Sequence, residues 1–464
     1  MTTDSIGVRA PGSSGRFLLG HAPELRADPI GFLLKLFREH GDVVRFGFGP
    51  KIAHLVVHPE AVKQVLIDRQ RNYIKGRLYA DLKLAAGEGL VTSEGDHWRR
   101  HRRILQPAFH SRRIEPLATV VTDATRALLD RWEGTATTGP IDISDEMTRL
   151  VLRIAGLTLF SVDLSDEAEE VGRVLPIVVH HVLDRPKRLF NIPERIPTPR
   201  NRRFTQALAR LDRLILDMIA RRRRQDHHGD MLTLLMDARD EESGEKLSDT
   251  ELRDEAVTSF VAGHETAAAS LSWLFYLLSR HPAAARRIRE EALEVLGSDG
   301  VPTVLDLPRM PYTKCVIQET MRLFPPPWII PREAVAADTL MGYAIPAGSF
   351  VVLSPFITHR HPAFWDNPEG FDPDRFSPER SHGWTTHAYL PFGTGPRKCI
   401  GANLAMMWMQ LVVPMVVRQV RLDLIPGYRV EFEPSVALRP KAGCRMSIVP
   451  IARDASVTPR VQPA

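Results

Sequence analysis

Cys399 stands near the end of a short loop, Pro391–Gly401, that suits a held thiolate. Arg397 and Lys398 stand just before the cysteine, and Gly393, Gly395 and Gly401 let the backbone turn where a side chain would block it. The segment Ala402–Val413 reads as a helix, so the sulfur lies just ahead of a helix N-terminus. Unpaired amides and nearby cations both favour thiolate over thiol at such a place. A thiolate that is held and boxed in suits a metal ligand better than a free nucleophile. The bland alternative is a buried cysteine in a Gly-rich turn.

A second unusual stretch, Ala262–Thr266, lies in the longest helical pattern, Asp254–Leu278. Gly263 costs such a helix about 1 kcal/mol relative to alanine, so something local should offset it. Ala262 and Gly263 share a face with Thr266, and small side chains there let a flat cofactor and a small ligand approach the backbone. The Thr266 hydroxyl can bond the carbonyl one turn back and distort the helix. The alternative is close helix packing at Gly263 with Glu265 in solvent. His264 lacks a His-Glu-x-x-His partner and reads as a surface or groove histidine.

Two further clusters carry charge. Glu319 and Arg322 lie one turn apart on the helical pattern Tyr312–Phe324, by themselves a common surface pair. Gly95–Phe109 is densely basic around Trp98, which fits a solvated helix face, a grip on nucleic acid, or donors for a cofactor's carboxylates.

Composition narrows the setting. The 464 residues are 44% hydrophobic and 25% charged, an ordinary globular balance, and no apolar run is long enough to cross a bilayer. The N-terminus has no charged-then-apolar signal pattern, so the chain reads as cytoplasmic. Three scattered cysteines (Cys315, Cys399, Cys444) make neither a disulfide framework nor a zinc site. Two β-like runs, Val43–Phe48 and Ile52–Val57, flank a Gly49-Pro50 turn, and Pro59–Asp68 reads as a short helix. Arg71–Glu94 is a long irregular connection of the kind that carries function. Helical patterns dominate from Ile114 to Phe324, broken by Pro186–Pro199, and short strands follow the run Pro325–Pro327. One helix-rich domain over 17–453 is expected, with a flexible lead at 1–16 and a tail at 454–464.

Phe392, Gly395, Arg397, Cys399 and Gly401 fill the pattern Phe-x-x-Gly-x-Arg-x-Cys-x-Gly, which resembles the haem-binding loop of cytochromes P450. Ala262-Gly263-x-Glu265-Thr266 is similar to that family's oxygen-activation motif, except that Ala267 stands where a second hydroxyl is frequent. Glu319 and Arg322 match its buried Glu-x-x-Arg, and Arg375, in Phe371–Arg375, matches the arginine that completes the network. The four motifs occur in order, and the resemblance runs from about Phe17 to Val449.

The resemblance implies a mainly α, triangular cytochrome P450 fold with small β-sheets, and a haem b whose iron is ligated by Cys399. Trp98, Arg102, Arg332 and Arg397 would hold its carboxylates, with Ala262, Gly263, Phe392 and Gly401 beside the macrocycle. Thr266 and Glu265 would handle oxygen and protons, and Glu319, Arg322 and Arg375 would brace the cysteine loop. Ala262, Trp328, Ile329 and Ile330 are candidate substrate contacts. The implied reaction inserts one atom of O2 into a hydrophobic small molecule (terpenoid, fatty acid or polyketide), terpenoids being preferred because the candidate lining is aliphatic. Electrons would come from a separate ferredoxin and ferredoxin reductase, with Arg99, Arg100 and Arg103 available to attract an acidic protein. No nucleic acid, no membrane anchor and a monomer are expected. Peroxide-driven or isomerising relatives tend to lack the acid–alcohol pair, which Glu265 and Thr266 supply. A non-catalytic haem sensor or a basic nucleic-acid-binding protein is the competing class.

Overall fold

The computed structural model describes residues 7–451 except 14, 17–18, 50, 136–138, 162–167, 186–190 and 225–230. Its axis is the helix Asp249–Arg280, longer at both ends than the apolar pattern that announces it. Ser248 caps its start in a capping box with Glu251, and the chain leaves it at His281, just before Pro282. From Ala267 to Leu278 nearly every side chain is buried, because other helices cover this helix on several sides. Ile143–Phe160 packs along it most extensively, and Pro199–Arg224, Pro282–Leu296, Pro311–Leu323 and Ala402–Gln419 complete the surround. The last of these runs through Pro414 and past the expected end at Val413.

A five-stranded sheet stands to one side, in the order Val43–Phe48, Lys51–Val56, Phe350–Leu353, Ile330–Ala334, Tyr73–Ile74. The expected hairpin forms, with Val43 opposite Val56 and Phe48 opposite Lys51. Pro59–Asp68 is helical but widens to a π turn over Gln64–Asp68.

The lead is not free as expected. Val8 and Arg9 pair in parallel with Tyr343 and Ala344, the Arg45 N–H donates to Pro11 O (2.7 Å), and Ala10 is buried. The backbone of this short segment finds partners on two sheets, a tertiary gain invisible in its polar composition. Residues 1–6, the tail 454–464 and the turn Gln225–Gly229 lie outside the described residues, as do the first residues of the proline-rich break and of the helical pattern before it. That earlier pattern is helical over Ala168–Asp184.

Glu319 and Arg322 are buried, not a surface pair. Arg322 grips Glu319 through two nitrogens (Nε–Oε2 2.7 Å, Nη2–Oε1 2.9 Å), and Arg375 Nε reaches Oε1 at 3.1 Å. The remaining Arg322 donors close on carbonyls of His359, Pro368 and Gly370 (2.8, 2.6 and 2.9 Å). The His359 ring carries the network onward: Nδ1 lies 3.3 Å from Arg322 O, and Nε2 accepts the Leu390 N–H at 2.9 Å. Leu390 directly precedes the cysteine loop, so the network ends where the loop begins.

His359 must stay neutral to make both contacts. Burial, then the charge of Arg322, lowers its pKa from 6.5 to about 3. In the unfolded chain the ring protonates near 6.5, so stability falls as pH drops from there and is lost down to about 3. Urea unfolding at a series of pH values is expected to show this as a slope approaching about 1.4 kcal/mol per pH unit from this group alone. His359→Gln should flatten the slope; an unchanged slope contradicts the assignment.

Candidate functional site

A cavity of about 350 Å³ separates the cysteine loop from the Ala262–Thr266 stretch of the central helix. Cys399 faces it, so its sulfur is exposed on that side and enclosed by protein elsewhere. Its N–H donates to Phe392 O (2.9 Å), which folds the loop back on itself. Gly395, at φ +70°, passes so close to Leu66 that a Cβ would lie 2.3 Å from the Leu66 carbonyl oxygen. Glycine is required there for both reasons.

Burial pushes the Cys399 thiol up, while a hydrogen bond from the Gly401 backbone and the charges of Arg102 and Lys398 pull it down. Burial wins, so helix terminus and cations alone do not make the thiolate expected from the sequence. A metal bound to the sulfur reverses that balance, because a coordinated thiol is deprotonated outright.

On the opposite wall Thr266 Oγ1 donates to Ala262 O at 2.8 Å, and the helix stays α through this point without the expected distortion. A Cβ on Gly263 would meet nothing within 4 Å, so the space is open toward the cavity. Glu265 does not line the cavity with Thr266. Successive residues turn by about 100° around a helix, which carries Glu265 to the other side, where its carboxylate accepts from the Ala437 backbone near Arg439 and Glu433. Burial raises its pKa despite Arg439. His264 is buried, not on a surface: Nδ1 lies 3.0 Å from Phe260 O, and the ring stacks on Phe260.

Trp98, Arg102, Arg332 and Arg397 converge on one edge of the cavity. The Arg397 guanidinium lies 3.9 Å from the Trp98 ring centroid, donates to Ser93 O (2.8 Å) and pairs with Glu94. Arg102 Nη1 donates to Lys398 O (3.0 Å), tying the Gly95–Leu105 helix to the residue before the cysteine. Sequence reasoning missed Lys75, which lines the same edge from the irregular connection. Burial first, then Arg397 and Arg332, lowers its pKa to about 6. Its position inside Arg71–Glu94 was the only available signal.

The candidate substrate contacts Trp328 and Ile329 do not line the cavity. Trp328 N–H bonds Pro326 O (3.0 Å), a turn that sends the indole into the core beside the five-stranded sheet, where Nε1 donates to Ser435 O (3.0 Å) and Ile329 packs with it. The candidates Ile330 and Ala262 do face the cavity, as do Pro326, Pro327, Leu90 and Leu159.

A thiol on the floor, a small-residue wall opposite and a cationic edge fit a flat apolar macrocycle with two carboxylates and a thiol-seeking metal. Phe392 and Gly401 line the cavity beside Cys399. Arg99 pairs with Asp96, Arg100 with Glu251, and Arg103 with Asp240 and Glu242.

A cavity so lined, in a helix-rich scaffold, fits a cysteine-ligated haem. The sequence profile of cytochrome P450 matches residues 10–443, and the chain belongs to that family. It is 39% identical over 432 residues to cyclooctatin synthase of Streptomyces melanosporofaciens, covering 92% of this chain and 93% of that protein. It is 40% identical over 421 residues to cyclooctat-9-en-7-ol 5-monooxygenase of the same organism, 90% of each chain, and 36% identical over 430 residues to pentalenene oxygenase of Streptomyces avermitilis, 92% of each. Among solved structures, the haem domain of cytochrome P450DA superposes with TM-score 0.88 at 26% identity, covering 97% of this chain and 99% of that one. The fold is the cytochrome P450 fold, and the protein is a haem-dependent monooxygenase that uses O2, redox partners and a hydrophobic substrate. No helix among the described residues is long and apolar enough to cross a membrane.

Gly395→Ala is expected to destabilise the protein by about 1–3 kcal/mol through the strained φ alone, and by more through the Leu66 contact. The purified variant should retain less haem per chain; haem content and melting temperature equal to wild type contradict the packing described.

Proposed function

We propose that Cys399 is the axial ligand of haem b and that the protein oxygenates a terpenoid. The carrying observation is the placement of Cys399 and Thr266 on facing walls of one cavity whose edge is cationic. When bound, a thiolate-ligated haem supplies the activation of O2, one atom entering a C–H or C=C bond and the other leaving as water.

The chain's residues do the rest. Trp98, Arg102, Arg332 and Arg397, joined by Lys75, hold the cofactor's carboxylates; Ala262, Gly263, Phe392 and Gly401 leave room for its faces. Glu319, Arg322 and Arg375, through His359, keep the cysteine loop in place. Thr266, whose own proton sits on Ala262 O, offers its lone pairs to a water in the cavity and can donate when it turns from that carbonyl. Glu265, held off the cavity by Ala437, shares proton handling only if it leaves that contact. Leu90, Leu159, Pro326, Pro327 and Ile330 exclude water and present an aliphatic surface.

Terpenoid substrates are favoured over fatty acids and polyketides because that lining is aliphatic and the curated relatives named above are a pentalenene oxygenase and two cyclooctatin-type enzymes. Electrons come from a ferredoxin and its reductase. Exposed Lys398, Arg112 and Arg113, on the loop and on the turn packed against the Ala402–Gln419 helix, suit an acidic donor. The protein acts as a cytoplasmic monomer, for which its three unpaired cysteines suit a reducing compartment.

Cyclic terpenes and terpene alcohols are expected to shift the ferric haem from low to high spin and to yield products carrying one atom from labelled O2. A shift with fatty acids or polyketides alone contradicts the substrate class. Thr266→Ala should lower product formed per electron pair about tenfold or more; unchanged coupling contradicts the role given to the hydroxyl.

A further inference from the structure

The helix Gly95–Leu105 and the start of the central helix exchange two histidines and two glutamates. His101 has no exposed surface; its Nδ1 lies 2.6 Å from Glu255 Oε1, and its Nε2 lies 3.1 Å from Glu251 Oε1. Glu255 is likewise fully buried and lines the cavity, and its second oxygen, Oε2, has no hydrogen-bond partner among the described residues. Glu251 keeps about a fifth of its side chain exposed (22%), and it also accepts from the Ser248 N–H (2.8 Å) and from Arg100 Nη1 (2.7 Å). A continuous hydrogen-bonded path of titratable groups therefore runs from the surface to the cavity wall.

Other charged groups face this path. His97 stacks on His101, with ring centroids 4.0 Å apart, and its Nε2 lies 3.2 Å from Glu88 O. Lys75 approaches Glu255 from the irregular connection, and Arg100 also reaches Glu245 (3.8 Å). Burial works against a charged His101, but the bonds and charges of Glu255 and Glu251 outweigh it and hold the ring above the ordinary imidazole range. Despite partial burial, the Ser248 N–H, His101 and Arg100 keep Glu251 at about 2. The cluster His97, His101, Glu251 has metal-ligand spacing, yet both His101 nitrogens are taken by carboxylates. A purely structural clasp would satisfy both oxygens of a buried carboxylate; Glu255, a residue of the cavity wall, leaves Oε2 unpartnered among the described residues.

We propose that Glu251, His101 and Glu255 form a proton relay from solvent into the haem cavity, with Glu255 as its inner end. It rests on the haem-thiolate assignment above. In one passage the Nδ1–H bond of the protonated His101 ring breaks as an O–H bond forms on Glu255, leaving a neutral ring with Nε2–H; a turn of the ring then brings the bare nitrogen to Glu251, which passes it a proton taken from water. The Glu255 carboxyl then turns and gives its proton to water in the cavity, so each step makes one bond and breaks one. Glu255, Ser259, Ala262 and Thr266 follow at helical spacing and all line the cavity. Eleven residues separate Glu255 from Thr266, about 16 Å at the helical rise, a span for the Ser259 hydroxyl and water to cross. Reducing O2 to one inserted atom and one water consumes two protons, and the relay supplies them from the side that Glu265 does not face.

The test uses the haem-loaded full chain. Hydrogen cyanide must lose a proton to bind ferric haem, so its association, followed with an indicator dye in weak buffer, reads proton exit without turnover. Glu255→Gln and His101→Gln are expected to keep the red-shifted band of the reduced carbon monoxide form and to slow cyanide binding with its proton release by about tenfold or more. They should also depress O2-dependent product far more than product made with hydrogen peroxide, which brings its own protons. Cyanide rates within about twofold of wild type in both variants overturn the relay. Equal loss of product by the two routes overturns it as well and marks the cluster as structural. Should neither variant retain haem, Glu251→Gln carries the test from the exposed end: slowed proton release supports the relay, and a wild-type rate overturns it. A wild type without the thiolate band contradicts the haem-thiolate assignment instead.

Discussion

The structure depends on one buried carboxylate. Glu319 holds two guanidinium groups that would otherwise be stranded in the core, and Arg322 spends its other donors on carbonyls of the segment leading to the cysteine loop. Removing one partner of such a set leaves an uncompensated charge and costs about 3–5 kcal/mol. The network's reach matters as much as its strength, since His359 passes it to Leu390, the residue before Pro391. The position of the Cys399 sulfur is thus set from a helix more than seventy residues earlier in the chain.

The cavity above that sulfur is electrostatically incomplete without its cofactor. Lys75, Arg102, Arg332 and Arg397 share one edge, and burial lowers the Arg397 pKa to about 10 and that of Lys75 to about 6. Among the described residues, only Glu94 forms an ion pair with one of them. A dianionic macrocycle restores the balance there, and its metal restores it at the thiol, where burial otherwise favours the protonated form. Haem would therefore complete the chain at two points, the cationic edge and the thiol.

Residues set by local spacing were legible in the sequence. Cys399, Arg397, Ala262, Gly263 and Thr266 belong to short patterns whose backbone demands, tight turns and a small-residue helix face, act within a few residues. All of them reach the same cavity. What the sequence could not place depended on distant partners. Glu265 looked like Thr266's companion, but the hairpin at Ala437 draws it to another face. Trp328 looked like a pocket residue because it follows the prolines, and Ser435, over a hundred residues later, claims its indole. His264 read as exposed for want of any hint of Phe260's carbonyl. Lys75, His101 and Glu255 carried no motif at all, because their meaning arises from three separate segments meeting. The lead at Val8–Arg9 is the same lesson for the backbone, a polar stretch ordered by a strand far along the chain.

The central claim is that Cys399 ligates the haem iron. Wild type and Cys399→Ser, each loaded with haem, reduced and exposed to carbon monoxide, test it in one absorption measurement. The wild type is expected to show the red-shifted band of a thiolate ligand, and the serine variant, if it keeps haem, to lack it. A wild type without that band, or a variant that retains it, contradicts the assignment.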